Sequence, residues 1–398
     1  MIPALMPTYR RTDIAFERGE GPYLYSTDGR RFLDFASGIA VTCLGHSHPA
    51  LVEALTGQAQ KLWHCSNIFT IPGQQEMGEK FVRDTFADTV FFGNSGSEAV
   101  ELGIKMIRKY HHANGNPHKS KIVCMRGAFH GRTLATIFAG GQQGHIEGFG
   151  PPVEGFVHVA FGNMNELRDA IDDETGGILF EPIQGEGGYR PAPDGFLDDV
   201  RETADEFGLL VLLDEVQCGN GRTGKLFAHE WSNMTPDIMA TAKGMGGGFP
   251  VGACLATEEA AKGMTAGTHG STYGGNPLAM AVANAVWDVL TGPGFLENVR
   301  EQGEALHAEL RTLVADYPDV YVEARGRGLM AGLKLADSLE TRQVVDFVRE
   351  RGLLTVAAGE NVVRMAPPLI IGRDEIDEAV ALLRAAAEEL TAEERNVA

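Results

Sequence analysis

The sequence has few basic residues for its size. Lys and Arg together number 34 against 54 Asp and Glu, which gives a net charge of −20 at pH 7. Because binding along a nucleic-acid backbone needs clustered Lys and Arg, this balance argues against a nucleic-acid-binding protein. We expect the excess of acidic residues to form a solvated surface that aids solubility.

Paired cysteines, metal-ligand clusters and long apolar runs are also missing. The five cysteines are scattered: Cys43, Cys65, Cys124, Cys218 and Cys254. Without C-x-x-C spacing they predict neither structural zinc nor a disulfide framework, so we expect a reducing compartment, the cytoplasm. His46 and His48 have no acidic or cysteine cluster beside them at ligand spacing, and no metal is predicted. No run is long enough to span a membrane, and the opening residues MIPALMPTYRR lack the apolar core of a signal peptide.

Short apolar segments alternate with helical patterns from about residue 89 onward. The segments typical of buried strands are TVFFG, KIVCM, GILFEP, LLVLLDEV, PDIMATAK and VGACLA. This alternation predicts an α/β fold in which helices flank a mostly parallel sheet.

The sequence changes in character after the long helical segment that ends near residue 292. The later segments, such as RDEIDEAVALLRAAAEEL, are charged and amphipathic. We therefore predict a large domain over residues 51–292 and a smaller C-terminal domain over residues 293–398. Residues 1–50 carry little strand signal of their own, and we expect them to pack with the small domain.

The segment VLLDEVQCGNGRTGKL mimics two nucleotide-binding motifs. Its glycines spell G-x-G-x-x-G, and Gly219–Lys225 spells G-x-x-x-x-G-K. A P-loop needs a hydroxyl after its lysine, but Leu226 stands there. The dinucleotide motif begins directly at the end of a strand, whereas DEVQC intervenes here. Neither interpretation holds, so Asp214 needs another explanation.

Asp214 and Lys243 each follow an apolar strand. In open parallel sheets, ligands bind beyond the carboxyl ends of the strands, so both side chains are candidates for a site. For Asp214 alone, a turn or capping role is an equal alternative. A desolvated lysine can lose its charge and attack a carbonyl group.

Two further segments offer contacts for a flat, phosphorylated ligand. FGNSGSEA places Gly96 and Ser97 at a helix start, where free N–H groups can form a phosphate cup, although an ordinary N-cap at Ser95 is the alternative. RGAFHGRT offers Phe129 for stacking, or for core packing, and Arg132 for binding a carboxylate. Together with the lysine and the aspartate, these elements meet the requirements of pyridoxal 5′-phosphate.

These segments, with DFASGIAVTCLGHSHP, EPIQGEGG, HGSTYGGNPLA and RMAPPLII, resemble class III aminotransferases of the fold-type I, pyridoxal-phosphate-dependent superfamily. The resemblance extends from about residue 20 to the C-terminal helices, and it implies that fold, with a small α+β domain built from both termini. GIAVTCLGH, EPIQGEGG and DEVQCGNGRTG are most similar to the acetylornithine aminotransferases of arginine biosynthesis. The implied reaction is transamination of N2-acetylornithine with 2-oxoglutarate, giving N-acetylglutamate 5-semialdehyde and glutamate in two half-reactions.

The resemblance also implies roles for individual residues. Lys243 would bond to the cofactor aldehyde, and Asp214 would face its pyridine nitrogen. The other implied cofactor contacts are Gly96 and Ser97 to the phosphate, Phe129 and Val216 to the ring faces, Gln217 to the ring hydroxyl and, from the neighbouring subunit of a homodimer, Thr272. The implied substrate contacts are Arg132, Ser271, Arg364 and Glu186, the last as a removable salt-bridge partner of Arg364.

Several related activities stay open at this point. They are transamination of succinylornithine, ornithine, 4-aminobutyrate or an acylated lysine. Ornithine aminotransferases carry a tyrosine in the segment that here reads SGIAV, and its absence counts against a substrate with a free α-amine. From another enzyme class, glutamate-1-semialdehyde aminomutase shares the fold and the lysine, but it would turn over without 2-oxoglutarate. An inactive cofactor-binding regulator is disfavoured because Lys243, Asp214 and a carboxylate-binding arginine are all present.

Overall fold

A computed structural model describes residues 2–397 of the chain. Residues 1 and 398, the outer limits of the predicted N-terminal segment and of the small domain, lie outside the described residues. None of the described helices is long and apolar enough to cross a membrane.

The central sheet is built from the apolar segments. Its strands are β4 (Thr89–Gly93), β5 (Lys121–Met125), β6 (Phe156–Val159), β7 (Thr175–Phe180), β10 (Leu210–Asp214), β11 (Ile238–Thr241) and β12 (Gly252–Ala256). Their order across the sheet is β4-β12-β11-β10-β7-β5-β6. Within this sheet, β12 runs antiparallel to the other six strands. The predicted mostly parallel α/β sheet is confirmed, although the sequence patterns did not indicate β6.

Helices cover both faces of the central sheet. They are α2 (Pro49–Ala59), α3 (Pro72–Asp84), α4 (Gly96–Ala113), α5 (Leu134–Gly140), α6 (Gln143–Ile146), α7 (Met164–Asp169), α8 (Phe196–Phe207), α9 (Glu258–Ala261) and α10 (Pro277–Leu290). Successive strand residues point to opposite faces. Leu212 of β10 therefore packs in one apolar cluster with residues of α4, while Leu213 packs in another with residues of α8 and α10.

Two four-stranded sheets, one two-stranded sheet and several helices complete the described chain. The strands are β1 (Phe16–Glu20), β2 (Tyr23–Ser26), β3 (Arg31–Asp34), β8 (Ile183–Gln184), β9 (Arg190–Pro191), β13 (Tyr321–Arg327), β14 (Met330–Leu335), β15 (Leu353–Leu354), β16 (Val356–Ala358) and β17 (Val362–Met365). The helices are α1 (Ser37–Ala40), α11 (Phe295–Asp316), α12 (Thr341–Glu350) and α13 (Arg373–Val397). One of these sheets has the order β1-β2-β3-β15, and the other has the order β13-β14-β17-β16; β8 pairs with β9.

The first fifty residues contain three strands, although their sequence carries little strand signal. β1 is largely exposed and β2 is mostly half-buried, and neither has the alternation of apolar and polar residues that predicts a strand. β15 adds to β3 in parallel, which joins the N-terminal part of the chain to its C-terminal part. The predicted domain limits themselves stay a prediction.

The glycine-rich loop that mimics nucleotide motifs is a packed turn. Gly221 and Gly224 have φ values of 83° and 88°, which a residue with a side chain rarely adopts. A Cβ atom on Gly221 would lie 3.1 Å from a methyl carbon of Leu369. The buried Arg222 between these glycines donates hydrogen bonds to the backbone carbonyls of Leu329 and Pro367. The loop therefore ties the central sheet to the C-terminal part of the chain.

Candidate active site

A cavity of about 330 Å³ lies where several strands of the central sheet end. β4, β7, β10 and β11 all present their carboxyl ends at this edge, because β12 is antiparallel to both β4 and β11. The residues proposed from sequence that line the cavity are Gly96, Ser97, Phe129, Asp214, Val216, Gln217 and Lys243. The fold therefore brings together side chains that are up to 147 positions apart in the sequence.

Lys243 lies just beyond β11 in a strained backbone conformation. Its φ of 47° falls in the left-handed region, which residues other than glycine rarely occupy outside functional sites. Burial is the main cause that lowers the pKa of its amine, and the positive charge of Arg364 lowers this pKa further. The negative charges of Glu186 and Asp214 raise it, but the net shift of the Lys243 pKa is downward. A lowered pKa favours the neutral amine, which is the nucleophilic form.

Asp214 is the last residue of β10 and is almost completely buried, at 3% exposure. Its Oδ1 accepts a hydrogen bond from the Val216 N–H at 3.0 Å, and its Oδ2 lies 2.8 Å from Nδ1 of His130. Burial lowers the pKa of His130, but the hydrogen bond to Asp214 and the charges of Asp214 and Glu181 outweigh it, so this pKa is raised. The aspartate is thus held in one orientation at the cavity wall.

The first residues of α4 form another wall of the cavity. Ser95 caps the helix, and its Oγ accepts a hydrogen bond from the Glu98 N–H at 3.3 Å. A Cβ atom on Gly96 would lie 2.7 Å from a methyl carbon of Val216, so only glycine fits there without a shift. The Oγ of Ser97 accepts from the Arg132 N–H at 3.1 Å. The early N–H groups of this 18-residue helix can bind an anion.

A partly buried ion pair lies next to the cavity. Nη1 of Arg364, on β17, lies 2.6 Å from Oε1 of Glu186 and 3.4 Å from Oε1 of the cavity residue Gln217. Arg364 is 2% exposed, whereas the Glu186 side chain is 30% exposed. The Nε of Arg364 is buried without a hydrogen-bond partner. Arg364 therefore has an unused hydrogen-bond donor, and the side chain of Glu186 is accessible to solvent.

Besides Arg364 and Glu186, which lie next to the cavity, three other residues proposed from the sequence do not line it. Arg132 is exposed, with its guanidinium 5.5 Å from the centre of the Phe129 ring. Ser271 reaches the cavity wall indirectly, since its Oγ accepts from Nδ2 of Asn94 at 3.3 Å. Thr272 is exposed on the surface.

Comparison with known proteins identifies the family. A family model described as "Aminotransferase class-III" matches residues 5–387. The chain belongs to the class III aminotransferase family. This aminotransferase is 57% identical to the acetylornithine aminotransferase of Brucella melitensis over 98% of the chain and 96% of that relative.

Solved structures match the aminotransferase over nearly its whole length. The N-acetylornithine aminotransferase of Stenotrophomonas maltophilia is 39% identical with a TM-score of 0.84, covering 96% of this chain and 98% of that one. The ornithine aminotransferase of Toxoplasma gondii is 28% identical with a TM-score of 0.94, covering 98% of this chain and 94% of that one. The predicted fold-type I architecture is therefore confirmed.

The cavity of the aminotransferase also contains two residues that sequence analysis missed, His130 and Glu181. Glu181 follows β7 directly, as Asp214 ends the neighbouring parallel strand β10, so the rule that identified Asp214 also points to Glu181. Burial and the charge of Asp214 raise the pKa of Glu181 to about 7. His130 lies inside the segment AFHGR, and its contact with Asp214, 84 residues later, cannot be derived from that segment.

Class III aminotransferases are pyridoxal-phosphate-dependent, and the cavity residues fit that cofactor. The cavity offers the amine of Lys243 with its lowered pKa, the carboxylate of Asp214 in a fixed orientation, and the N-terminus of α4. In addition, Nε2 of His130 is buried without a hydrogen-bond partner. In residues 2–397, no group of three or more His, Cys, Asp or Glu side chains is placed to hold a metal ion.

Proposed function

We propose that this aminotransferase transfers the terminal amine of N2-acetylornithine to 2-oxoglutarate, using pyridoxal 5′-phosphate. The ion pair of the buried Arg364 with the partly exposed Glu186 beside the cavity carries this proposal, because it offers an arginine that can be either neutralised or freed. The names of the relatives support the choice of substrate. The 57% identical relative is an acetylornithine aminotransferase, whereas the ornithine aminotransferase that shares the fold is 28% identical.

The cofactor would be held by the residues that line the cavity. Lys243 would bond to its aldehyde, Asp214 would face its pyridine nitrogen, and the N-terminus of α4, with Gly96 and Ser97, would bind its phosphate. Phe129 and Val216 would contact the ring faces, and Gln217 would contact the ring hydroxyl. When bound, this cofactor supplies an electron sink that makes the amine-bearing carbon of the substrate acidic.

Lys243 has a second task in this proposal. With the substrate held at the cofactor, the neutral Nζ of Lys243 could accept the proton from the substrate carbon and return it. The lowered pKa of this amine suits both tasks, because a protonated lysine could neither attack the aldehyde nor accept a proton.

The two amine donors present the protein with different charges. Acetylornithine reacts through its terminal amine and carries its carboxylate at the far end, whereas glutamate reacts through its α-amine and has a second carboxylate close to the cofactor. We propose that Arg132 binds the distant carboxylate of either donor and that Ser271 lies beside the substrate. Arg364 would bind the near carboxylate of glutamate, and Glu186 would neutralise Arg364 when that carboxylate is missing.

Substitutions of this ion pair should separate the two half-reactions. Glu186→Ala leaves Arg364 permanently free, so we expect the ratio of the glutamate to the acetylornithine half-reaction rate to rise about tenfold or more. Arg364→Ala should lower that ratio by a similar factor, because only glutamate uses this arginine. Stopped-flow measurement of each half-reaction gives both ratios. Equal effects on the two donors in both variants would mean that the pair has only a structural role.

A panel of amine donors tests the substrate itself. We expect the highest kcat/KM with acetylornithine among acetylornithine, succinylornithine, ornithine, 4-aminobutyrate and N-acetyllysine, each assayed with 2-oxoglutarate. A higher kcat/KM with any of the other four would replace acetylornithine in the proposal, and turnover of glutamate 1-semialdehyde without 2-oxoglutarate would indicate an isomerase.

An exposed apolar surface supports a homodimer. Trp63, Ile68, Phe69 and Tyr273 are between 61% and 82% exposed. Nδ2 of Asn67 joins the two segments that carry them, because it donates to the carbonyl oxygens of Ser271 and Gly274 at 3.0 and 2.9 Å. Exposed apolar patches of this kind commonly mark protein–protein interfaces. We propose that a second copy covers this surface and that Thr272, beside Tyr273, contributes to the phosphate site of that copy.

Mixed dimers of inactive variants test this shared site. The Lys243→Ala subunit should be inactive because its own site lacks the lysine. Thr272→Asp should inactivate the site of the other subunit, because its carboxylate repels the phosphate bound there. A hybrid of the two has one site with an intact lysine and an intact threonine, so random mixing should restore about a quarter of the wild-type sites. Activity of differentially tagged, refolded mixtures gives this fraction.

The control mixture combines Lys243→Ala with the double variant Lys243→Ala/Thr272→Asp, from which no complete site can form. If tagged hybrids of the first mixture are isolated and remain inactive, Thr272 does not act across the interface.

The state of the cysteines is relevant to the cellular compartment of the enzyme. All five are free thiols, and four of them are buried. Free thiols persist in reducing compartments. We propose that the enzyme works in the cytoplasm.

A further inference from the structure

Glu181 is a buried residue of the cavity wall, and the proposed reaction assigns no role to its carboxylate. It is 4% exposed and follows β7, between the loop that carries Phe129 and the loop that carries Glu186. Its two oxygens accept from two different loops. Oε2 accepts from the Phe129 N–H at 3.1 Å, and Oε1 accepts from the Gly185 N–H at 3.0 Å. One carboxylate thus links the backbone of the stacking ring to the backbone just before Glu186.

The backbone of Glu186 is also held from its other side. Its carbonyl oxygen accepts from the Gly359 N–H at 2.8 Å. A Cβ atom on Gly359 would lie 2.9 Å from that same oxygen, so the approach requires glycine. The Gln184–Gly185 peptide is thus held by Glu181, and the Glu186–Gly187 peptide is held by Gly359. Because the backbone is restrained before and after Glu186, we expect this residue to leave Arg364 by rotating its side chain.

We propose that Glu181 is a positioning residue that holds the Phe129 ring and the Glu186 side chain in a fixed relation to each other. This inference rests on the proposed function, since it gives Phe129 and Glu186 the roles assigned above. A loosened Phe129 loop would weaken cofactor binding. A loosened Gly185 peptide would let Glu186 drift from Arg364 and so favour glutamate over acetylornithine.

Glu181→Gln tests the link with almost no change of shape. The amide oxygen can accept one of the two N–H groups, but the NH2 group then faces the other N–H as a second donor. We expect the cofactor dissociation constant to rise about tenfold and the glutamate-to-acetylornithine ratio of half-reaction rates to rise about threefold to tenfold. Fluorescence titration of the apoenzyme with cofactor and stopped-flow kinetics measure the two quantities.

Further variants distinguish positioning from charge and from general destabilisation. Glu181→Asp keeps the charge but is too short to reach both loops, so it should behave like Glu181→Gln. Gly359→Ala should raise the ratio while leaving the dissociation constant unchanged, because it disturbs only the Glu186 backbone. Glu230→Gln is the matched control: this half-buried glutamate accepts from the Phe227 N–H at 2.9 Å outside the cavity, and its loss should change neither quantity.

The proposal is overturned if Glu181→Gln or Glu181→Asp folds and leaves both quantities at their wild-type values. It is also overturned if both half-reactions slow equally while cofactor binding is unchanged. Failure of the proposed function looks different, because the wild-type enzyme itself would then lack an acetylornithine half-reaction. The dissociation constants would still test the link in that case.

Discussion

Replacing Lys243 with alanine should reduce turnover about 1000-fold or more and remove the covalent attachment of the cofactor. The cavity places this amine in a buried position that lowers its pKa, and no other lysine lines the cavity within the described residues. Borohydride treatment followed by intact-protein mass spectrometry should add the mass of the reduced cofactor to the wild type and add nothing to the variant.

Lys225→Ala is the matched control for this experiment. Lys225 belongs to the P-loop-like segment, but its Nζ lies 5.4 Å from the centre of the Trp231 ring and it is not part of the cavity wall. This variant should retain both turnover and the reducible attachment. An attachment that survives in Lys243→Ala would assign the covalent bond to a different residue.

The sequence predicts the central sheet well because its strands are buried on both faces. Segments such as VLLD and IMAT are continuous apolar runs, and helices between them leave few alternatives to a parallel sheet. The exposed strand β1 and the half-buried strand β2 carry no such signal, and β15 pairs with β3 across more than 300 residues. Pairing between distant segments depends on the assembled core, so local patterns could not indicate it.

The candidate site is predictable where one simple rule applies. Asp214 and Lys243 were identified because an acid and a lysine follow apolar strands, and the structure places both at the same sheet edge. The same rule was not extended to Glu181, although it follows β7 directly. The roles of these residues come from the family resemblance and stay predictions.

Other features of the site depend on three-dimensional contacts. The two backbone hydrogen bonds of Glu181 come from loops that are far apart in the sequence, and its pKa of about 7 reflects burial and the nearby charge of Asp214. Neither burial nor this proximity can be derived from the local sequence EPIQGEGG. The ion pair of Arg364 and Glu186 similarly joins β17 to a loop 178 residues earlier.

Asp214→Asn should slow both half-reactions about 100-fold or more while leaving the cofactor attached to Lys243. The aspartate carboxylate would hold a proton, and hence a positive charge, at the ring nitrogen. Asparagine has nearly the same shape but no charge, and its NH2 group would present a donor where an acceptor is needed. Stopped-flow measurement with acetylornithine and with glutamate gives the two rates, and borohydride trapping verifies the attachment.

Asp237→Asn separates this effect from the loss of a hydrogen-bonded, partly buried aspartate beside the sheet. Asp237 lies just before β11, pairs with Arg201 at 2.7 Å and accepts from the Val211 N–H at 2.7 Å, outside the cavity. Its replacement should lower the thermal midpoint but leave both half-reaction rates of the folded enzyme within about twofold of wild type. Asp214→Asn acts through the charge facing the cofactor, so its rates should fall even where its thermal midpoint matches that of the control. Near-normal rates in Asp214→Asn would remove Asp214 from the chemistry and leave it the turn-capping role that its hydrogen bond to the Val216 N–H already fulfils.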